Sequence, residues 1–145
     1  MPFKTRGDIS SLGATGYELN LTKLTDEEKS QAAKQIQDYK KISKLVLNGD
    51  LYRFSSPFDS NYFCEMLVSK DKSQAYIVGE RIHTYPHGWD TNHYLYIHVL
   101  DENKMYEIAE LDVEASGASL KYAGILLPKV NDFESFVWHI KERSY

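Results

Sequence analysis

Five histidines, several glutamates, one cysteine and a cluster of aromatic rings are the residues of this 145-residue sequence with chemical reach. His83 and His87 stand four apart, the spacing that puts two ligands on one face of a helix. Pro86 between them and Gly88 after them exclude a helix there. His93 and His98 differ by five, so along one strand they point to opposite faces. With no third convergent ligand, no metal site is expected, and the histidines read as loop and sheet-surface residues. Paired carboxylates roughly 5–10 Å apart could cleave a glycosidic bond. Glu18, Glu65, Glu80, Glu107, Glu110 and Glu134 are available, each in a strand-like or turn segment where a carboxylate ordinarily forms a solvated face. No Ser-His-Asp arrangement, Gly-rich phosphate loop or reactive-cysteine signature is visible, so no catalytic or cofactor-binding residue and no cofactor is assigned. Cys64 lies on the apolar side of an alternating stretch and is expected in the core. Tyr85, Trp89 and Tyr94 gather around a loop at 84–91, where flat rings could stack on a sugar; the plainer reading is a loop packed on its sheet by those rings. Arg6-Gly7-Asp8 spells an adhesion tripeptide, but three residues recur by chance too easily to carry a function.

Composition sets the frame for these residues. Apolar residues make up 42% and charged residues 26%, a globular balance that argues against disorder, and the length suits one domain or one domain with an appendage. The net charge of −4 weighs against nucleic acid as a partner, because neutralising phosphates needs clustered Lys and Arg. Apolar runs are only a few residues long, as in Ile125-Leu126-Leu127, so no membrane helix is expected. Met1-Pro2-Phe3-Lys4-Thr5-Arg6 shows no apolar leader, and a single cysteine suits a reducing compartment, so a cytoplasmic location is expected. Aromatics reach 13%, eleven of them Tyr, a residue that favours strands and interfaces.

Two unlike parts must position these groups. Residues 1 to about 50 read as loop, short strand and one long helix. Thr25 with Glu28 forms a capping box, and Asp26, Glu27 and Glu28 place negative charge at the positive end of the helix dipole. Ala32, Ile36, Tyr39, Ile42 and Val46 recur at helical spacing and draw one apolar stripe. Asn48-Gly49 supplies a stop, with Gly49 expected in the left-handed region, so the helix is expected over 26–47. After Gly49 the period falls to 2. Strands are expected over 51–55, 61–69, 74–83, 93–100, 105–112 and 133–141, with turns at 70–73 and 101–104 and a break at Ser116-Gly117-Ala118. Short strands at regular spacing predict a mainly β fold, an antiparallel β-sandwich preceded by one long α-helix.

Gly16-Tyr17-Glu18-Leu19-Asn20-Leu21 resembles the Gly-Tyr-Glu-Leu-Asp-Leu segment near the end of the catalytic barrel in bacterial α-galactosidases of glycoside hydrolase family 36. Tyr39-Lys40-Lys41-Ile42 resembles the helix that follows it in that family. Gly49-Asp50-Leu51-Tyr52-Arg53 and Ser56-Pro57-Phe58 resemble the start of its C-terminal domain, and Tyr122-Ala123-Gly124-Ile125, Pro128 and Asp132-Phe133-Glu134-Ser135 its end. The family's Asp after Glu-Leu is Asn20 here, and its Gln after Asp-Phe is Glu134. The resemblance implies a remnant of the end of a β/α barrel over 1–49 and an antiparallel β-sandwich domain over 50–145. It also implies that the catalytic aspartates lie in barrel motifs, Lys-Trp-Asp and Ser-Asp-Asn, that do not occur here. The implied role is a non-catalytic C-terminal domain that braces the barrel of an enzyme hydrolysing terminal α-galactosides such as melibiose and raffinose. A free-standing carbohydrate-binding module using Tyr85, Trp89 and Tyr94, or a protein-interaction domain, are the alternatives. The helix stripe would face the barrel in such an enzyme; in the isolated chain its candidate surfaces are the chain's own sheet or the same helix of a second copy, and a homo-oligomer through the helix is expected.

Overall fold

In a computed structural model, residues 1–84 and 93–144 are described. The sequence-local signals of the long helix are realised. Helix α2 runs Asp26–Asn48, and the Thr25 hydroxyl accepts the Glu28 amide while the Glu28 carboxylate accepts the Thr25 amide. Gly49 ends it, though not in the expected left-handed region: its φ is −77°. A Cβ there would stand 2.5 Å from the Leu45 carbonyl oxygen and 2.9 Å from that of Val68, so glycine is required by close approach of the backbones.

Six antiparallel strands form the main sheet: β1 (Asp50–Ser55), β2 (Tyr62–Val68), β3 (Gln74–Arg81), β5 (Met105–Ile108), β6 (Val113–Ser116) and β8 (Ser135–Glu142), in the order β1-β2-β3-β8-β5-β6. Strands β4 (Tyr94–Leu95) and β7 (Ile125–Leu126) make a second, two-stranded antiparallel sheet. The β2–β3 hairpin turns where expected. The Asp71 carboxylate accepts the Ser73 amide at 3.0 Å and the Ser69 hydroxyl at 2.7 Å, and Lys72 adopts a φ of 57°. The stretch 105–112, expected as one strand, instead forms β5, a short 3-10 turn over Ala109–Leu111 and a left-handed Asp112, after which β6 folds back on β5. The expected strand over 93–100 keeps ladder pairing only at β4, although its alternation persists, with Leu95, Ile97 and Val99 buried. The expected break after Ser116 is a helix start: the Ser116 hydroxyl caps α3 (Gly117–Tyr122) by accepting the Ser119 amide.

The main sheet buries both faces. On one, Tyr62, Cys64, Met66 and Val68 of β2, Ile77 of β3 and Phe136, Trp138 and Ile140 of β8 meet Leu95 of the second sheet, Ile97 and Leu127 just beyond its strands, and Leu120 of α3. Tyr106 crosses this core, donating its hydroxyl to the Lys72 carbonyl at 2.9 Å and accepting the Asp101 amide at 3.1 Å. On the other face, Ile42 and Leu45 of α2 bury against Leu67, Tyr76 and Val78, with Tyr39, Val46 and Val137 half-buried around them.

Of the two surfaces open to the helix stripe, the chain's own sheet takes it, against the expectation of a second copy. Ala32 and Ile42 are buried, Tyr39 and Val46 half-buried, and only Ile36 of the five stays exposed, at 43%. A sandwich uses one face of each sheet for its shared core, and here the free face of the larger sheet takes the helix. The stripe is therefore largely covered within the chain.

Residues 1–25 also depart from expectation. They hold no ladder-paired strand, and Phe3–Ser10 forms a helix, α1, that no local signal announces. Its N-cap, Pro2, makes no side-chain capping bond. Its support is tertiary. The Thr5 hydroxyl donates to the Phe133 carbonyl at 2.9 Å and accepts the Ser135 amide at 3.1 Å, and the Ser135 hydroxyl donates to Asp8 at 2.6 Å. Gly7 lies against the Gln35 side chain, where a Cβ would collide, so α1 sits tightly on α2. Arg6-Gly7-Asp8 is thereby a packing element that ties α1 to α2 and β8.

Candidate functional site

The three residues proposed to touch sugar are not assembled by the described structure. Tyr85 and Trp89 lie outside the described residues. Tyr94 is on β4, opposite Leu126 of β7, and is 49% exposed. Strand alternation puts Tyr96 on the same outer face, 52% exposed, and a Cβ on Gly124 (φ +73°) would stand 3.0 Å from its ring. Exposed Tyr122 follows at the end of α3, its hydroxyl donating to Glu102 at 3.2 Å and its ring beneath the Lys121 ammonium. Tyr96 and Tyr122 were missed in the sequence. The alternation from Tyr94 to Val99 was the signal for Tyr96.

The carboxylates separate into paired surface groups and one buried group. Glu65 takes Arg53 at 2.9 Å, Glu110 accepts the His139 amide at 2.8 Å and contacts its ring, and Glu134 accepts the Asn131 amide at 3.0 Å. The Asn131 bonds hold the Glu134 carboxyl below its ordinary range. Glu18 and Glu107 are exposed. Glu80 corrects the solvated-face expectation: it is 4% exposed, on the face of β3 that carries Tyr76 and Val78, and burial raises its pKa. Its Oε1 and the Nδ2 of buried Asn61 make no hydrogen bond. A single raised carboxyl is half of what glycoside hydrolysis needs, and no second carboxylate shares its pocket in the described contacts.

Between α2 and the outer half of the sheet runs a groove of about 620 Å³, lined by Lys34, Asp38, Lys41, Glu107, Glu110 and His139 among others. Within it Lys41 pairs with Asp38 at 2.6 Å and His139 contacts Glu110. His93 meets Tyr62 at a tilt and His98 meets Phe54 edge-on, ring centroids 5.2 and 5.3 Å apart, while His87 lies outside the described residues. Among the described residues, no group of three His, Cys, Asp or Glu side chains is placed to hold a metal ion. Cys64 is fully buried, and desolvation pushes its thiol up to about 12, which removes the nucleophilic thiolate. No helix among the described residues is long and apolar enough to cross a membrane.

Among the described residues, two faces of one sheet are filled, several surface charges are paired and the cysteine is buried. Comparison with known proteins accounts for it. The chain is 40% identical to the α-galactosidase AgaA of Geobacillus stearothermophilus over 139 residues, and 36% identical to the α-galactosidase Mel36A of Lactobacillus acidophilus over 143. Those matches cover 95% and 97% of this chain but 19% of each relative, so the chain spans about a fifth of their length. The crystal structure of an AgaA variant in complex with raffinose superposes with a TM-score of 0.91 at 38% identity, over 99% of this chain and 20% of that one. The α-galactosidase from Lactobacillus brevis superposes at 0.88 and 29%, over 98% and 20%. A melibiase family model matches residues 1–49, and the model of the glycosyl hydrolase family 36 C-terminal domain matches residues 62–140. The sheet, its two buried faces and the helix laid on one of them are thus those of a known module, and the chain belongs to the glycosyl hydrolase family 36 C-terminal domain family.

Proposed function

We propose that this chain is the non-catalytic C-terminal portion of a cytoplasmic retaining α-galactosidase acting on terminal α-galactosides such as melibiose and raffinose. Residues 1–49 complete the barrel of that enzyme, and residues 50–145 form the domain that braces it. The observation that carries this reading is the match of both parts, in order, to α-galactosidases over nearly the whole chain. The physical reading agrees: the site chemistry needs two carboxylates flanking one bond, and the described carboxylates are mostly paired at the surface, with Glu80 alone buried.

The test has two arms. The chain alone is expected to give no turnover of a nitrophenyl α-galactoside. Turnover abolished by replacing a carboxylate of this chain overturns the reading. Substituted for the matched fifth of the Geobacillus enzyme, it is expected to support activity. The free-standing sugar-binding alternative expects saturable galactose or melibiose binding that disappears in Tyr94→Ala; the bracing role expects none.

A further inference from the structure

Two buried polar side chains stand on one face of the main sheet with hydrogen-bonding capacity unused. Glu80 of β3 is 4% exposed, and Asn61, just before β2, is 5% exposed. Phe63 is the ladder partner of Glu80, and the Ile82 amide donates to the Asn61 carbonyl at 2.7 Å. The pairing therefore runs on past the start of β2, and Asn61 stands diagonally across from Glu80 on the same face. Residues so related lie about 7–8 Å apart, near enough for both side chains to reach one group between them. Glu80 Oε1 accepts no hydrogen bond and Asn61 Nδ2 donates none. A buried acceptor and a buried donor left unsatisfied cost stability, so the pair marks a missing partner. Helix α1 covers this end of the sheet, but its first polar side chains are committed to Ser135, the ladder partner of Glu80 on β8. Thr5 accepts the Ser135 amide, Asp8 its hydroxyl, and Lys4 donates to its carbonyl at 3.2 Å. The α-amino group of Met1, by contrast, acts on the Glu80 carboxyl and draws its pKa down against the burial that raises it. The chain leading into α1 thus passes beside Glu80.

We propose that Glu80 and Asn61 grip the main chain of the segment that leads into α1 in the longer protein, Glu80 accepting a peptide N–H and Asn61 donating to a peptide carbonyl. This rests on the proposed function, in which most of the enzyme precedes the matched fifth. The chemistry of the pair chooses the occupant. One unused acceptor beside one unused donor is the complement of a single extended residue, whose N–H and C=O can pair together with a neighbour. A lysine or arginine side chain offers donors only and leaves Asn61 Nδ2 unmatched. A second copy of this chain meets a pair that is already covered, whereas the preceding segment arrives with α1 itself. The grip fixes the entry to α1 at the same end of the sheet where Thr5 and Ser135 fix the helix.

Thermal unfolding tests this on the chain alone and on the Geobacillus enzyme carrying this chain in place of its matched fifth. Glu80→Met keeps the approximate volume and removes the acceptor, while Glu80→Gln keeps one amide oxygen. In the chain alone the carboxyl has no partner to lose, so Glu80→Met is expected to leave the midpoint unchanged or raise it. In the hybrid the same substitution is expected to lower the midpoint by about 2 °C or more, with Glu80→Gln falling less. A lowered midpoint in the chain alone means that something within it, such as a buried water, already satisfies Glu80, and overturns the grip. An active hybrid indifferent to Glu80→Met overturns the grip and leaves the proposed function standing. A folded but inactive hybrid that Glu80→Met destabilises supports the grip and overturns the function. A hybrid that does not fold overturns both.

Discussion

Leu45→Ala tests whether α2 belongs to the sheet of this chain. Leu45 is 6% exposed and shares a core with Ile42, Leu67, Tyr76 and Val78. Truncation removes three carbons of side chain from that core, worth about 2 kcal/mol at roughly 0.8 kcal/mol per buried methylene. The cavity left between a helix and a sheet that cannot collapse fully brings the cost to about 3–4 kcal/mol. Ile36 serves as the internal control: it lies on the same helix, is 43% exposed, and its truncation is expected to cost less than about 1 kcal/mol. Urea unfolding followed by far-ultraviolet dichroism reads both. With a urea slope of about 1–3 kcal/mol per molar, Leu45→Ala lowers the midpoint by more than about 1 M while Ile36→Ala moves it little. Sedimentation adds a second reading, because a stripe spent inside the chain leaves the wild type and Ile36→Glu with the same mass. Equal and small midpoint shifts for the two alanine variants, or association lost in Ile36→Glu, would refute the packing of α2 on its own sheet.

Three further outcomes follow from named contacts. Thr25→Ala removes the hydroxyl that accepts the Glu28 amide and is expected to cost about 1 kcal/mol in the same urea assay. Gly79→Ala places a Cβ into the ring of Phe136 across the β3–β8 pair and is expected to destabilise by about 1–3 kcal/mol, with Phe136→Leu relieving part of that in a double-mutant cycle. Cys64 is expected to resist thiol reagents at pH 8 until the chain is unfolded. Because its folded pKa lies near 12 and its unfolded value near 9, the unfolded state loses the proton first. The contribution is therefore complete below pH 9 and declines as pH rises toward 12, and Cys64→Ala should flatten that alkaline fall in the urea midpoint.

Legibility in the sequence followed the range of the forces involved. Helix α2 was readable because its cap, its first-turn acids and its stripe are all local, and β1, β2, β3 and β8 were readable because alternation is local too, whereas the fold-back of β6 on β5 turns on a left-handed Asp112. Helix α1 was not. It carries a glycine in its middle and no side-chain cap, and the bonds that hold it come from Phe133 and Ser135, more than a hundred residues away. Gly49 was correctly read as a stop for the wrong reason, since backbone proximity to Val68 is a tertiary fact that composition does not contain. Glu80 looked like a solvated carboxylate because alternation assigns it a face but not what covers that face. Of the ring cluster, only Tyr94 falls among the described residues, and it stands on an outer strand face with Tyr96.

The helix layer gives the proposed bracing role a physical route. On its sheet side, α2 contributes Ile42 and Leu45 to a core, and α1 is stitched to β8 through Thr5, Asp8 and Ser135. On its other side, Tyr17 is tied to Phe3 and Gln35 and leads into a segment with no ladder. Whatever packs on the far side of this layer therefore inherits its position from the sheet beneath, through contacts already made in this chain alone. Sub-ångström placement is what positioning contributes to a barrel enzyme, because reacting groups misplaced by about 1 Å lose roughly a hundredfold in rate. On this account, substitutions at Thr5, Gln35 or Ser135, none of which needs to approach a substrate, lower turnover in the hybrid enzyme while leaving the fold of residues 50–142 intact.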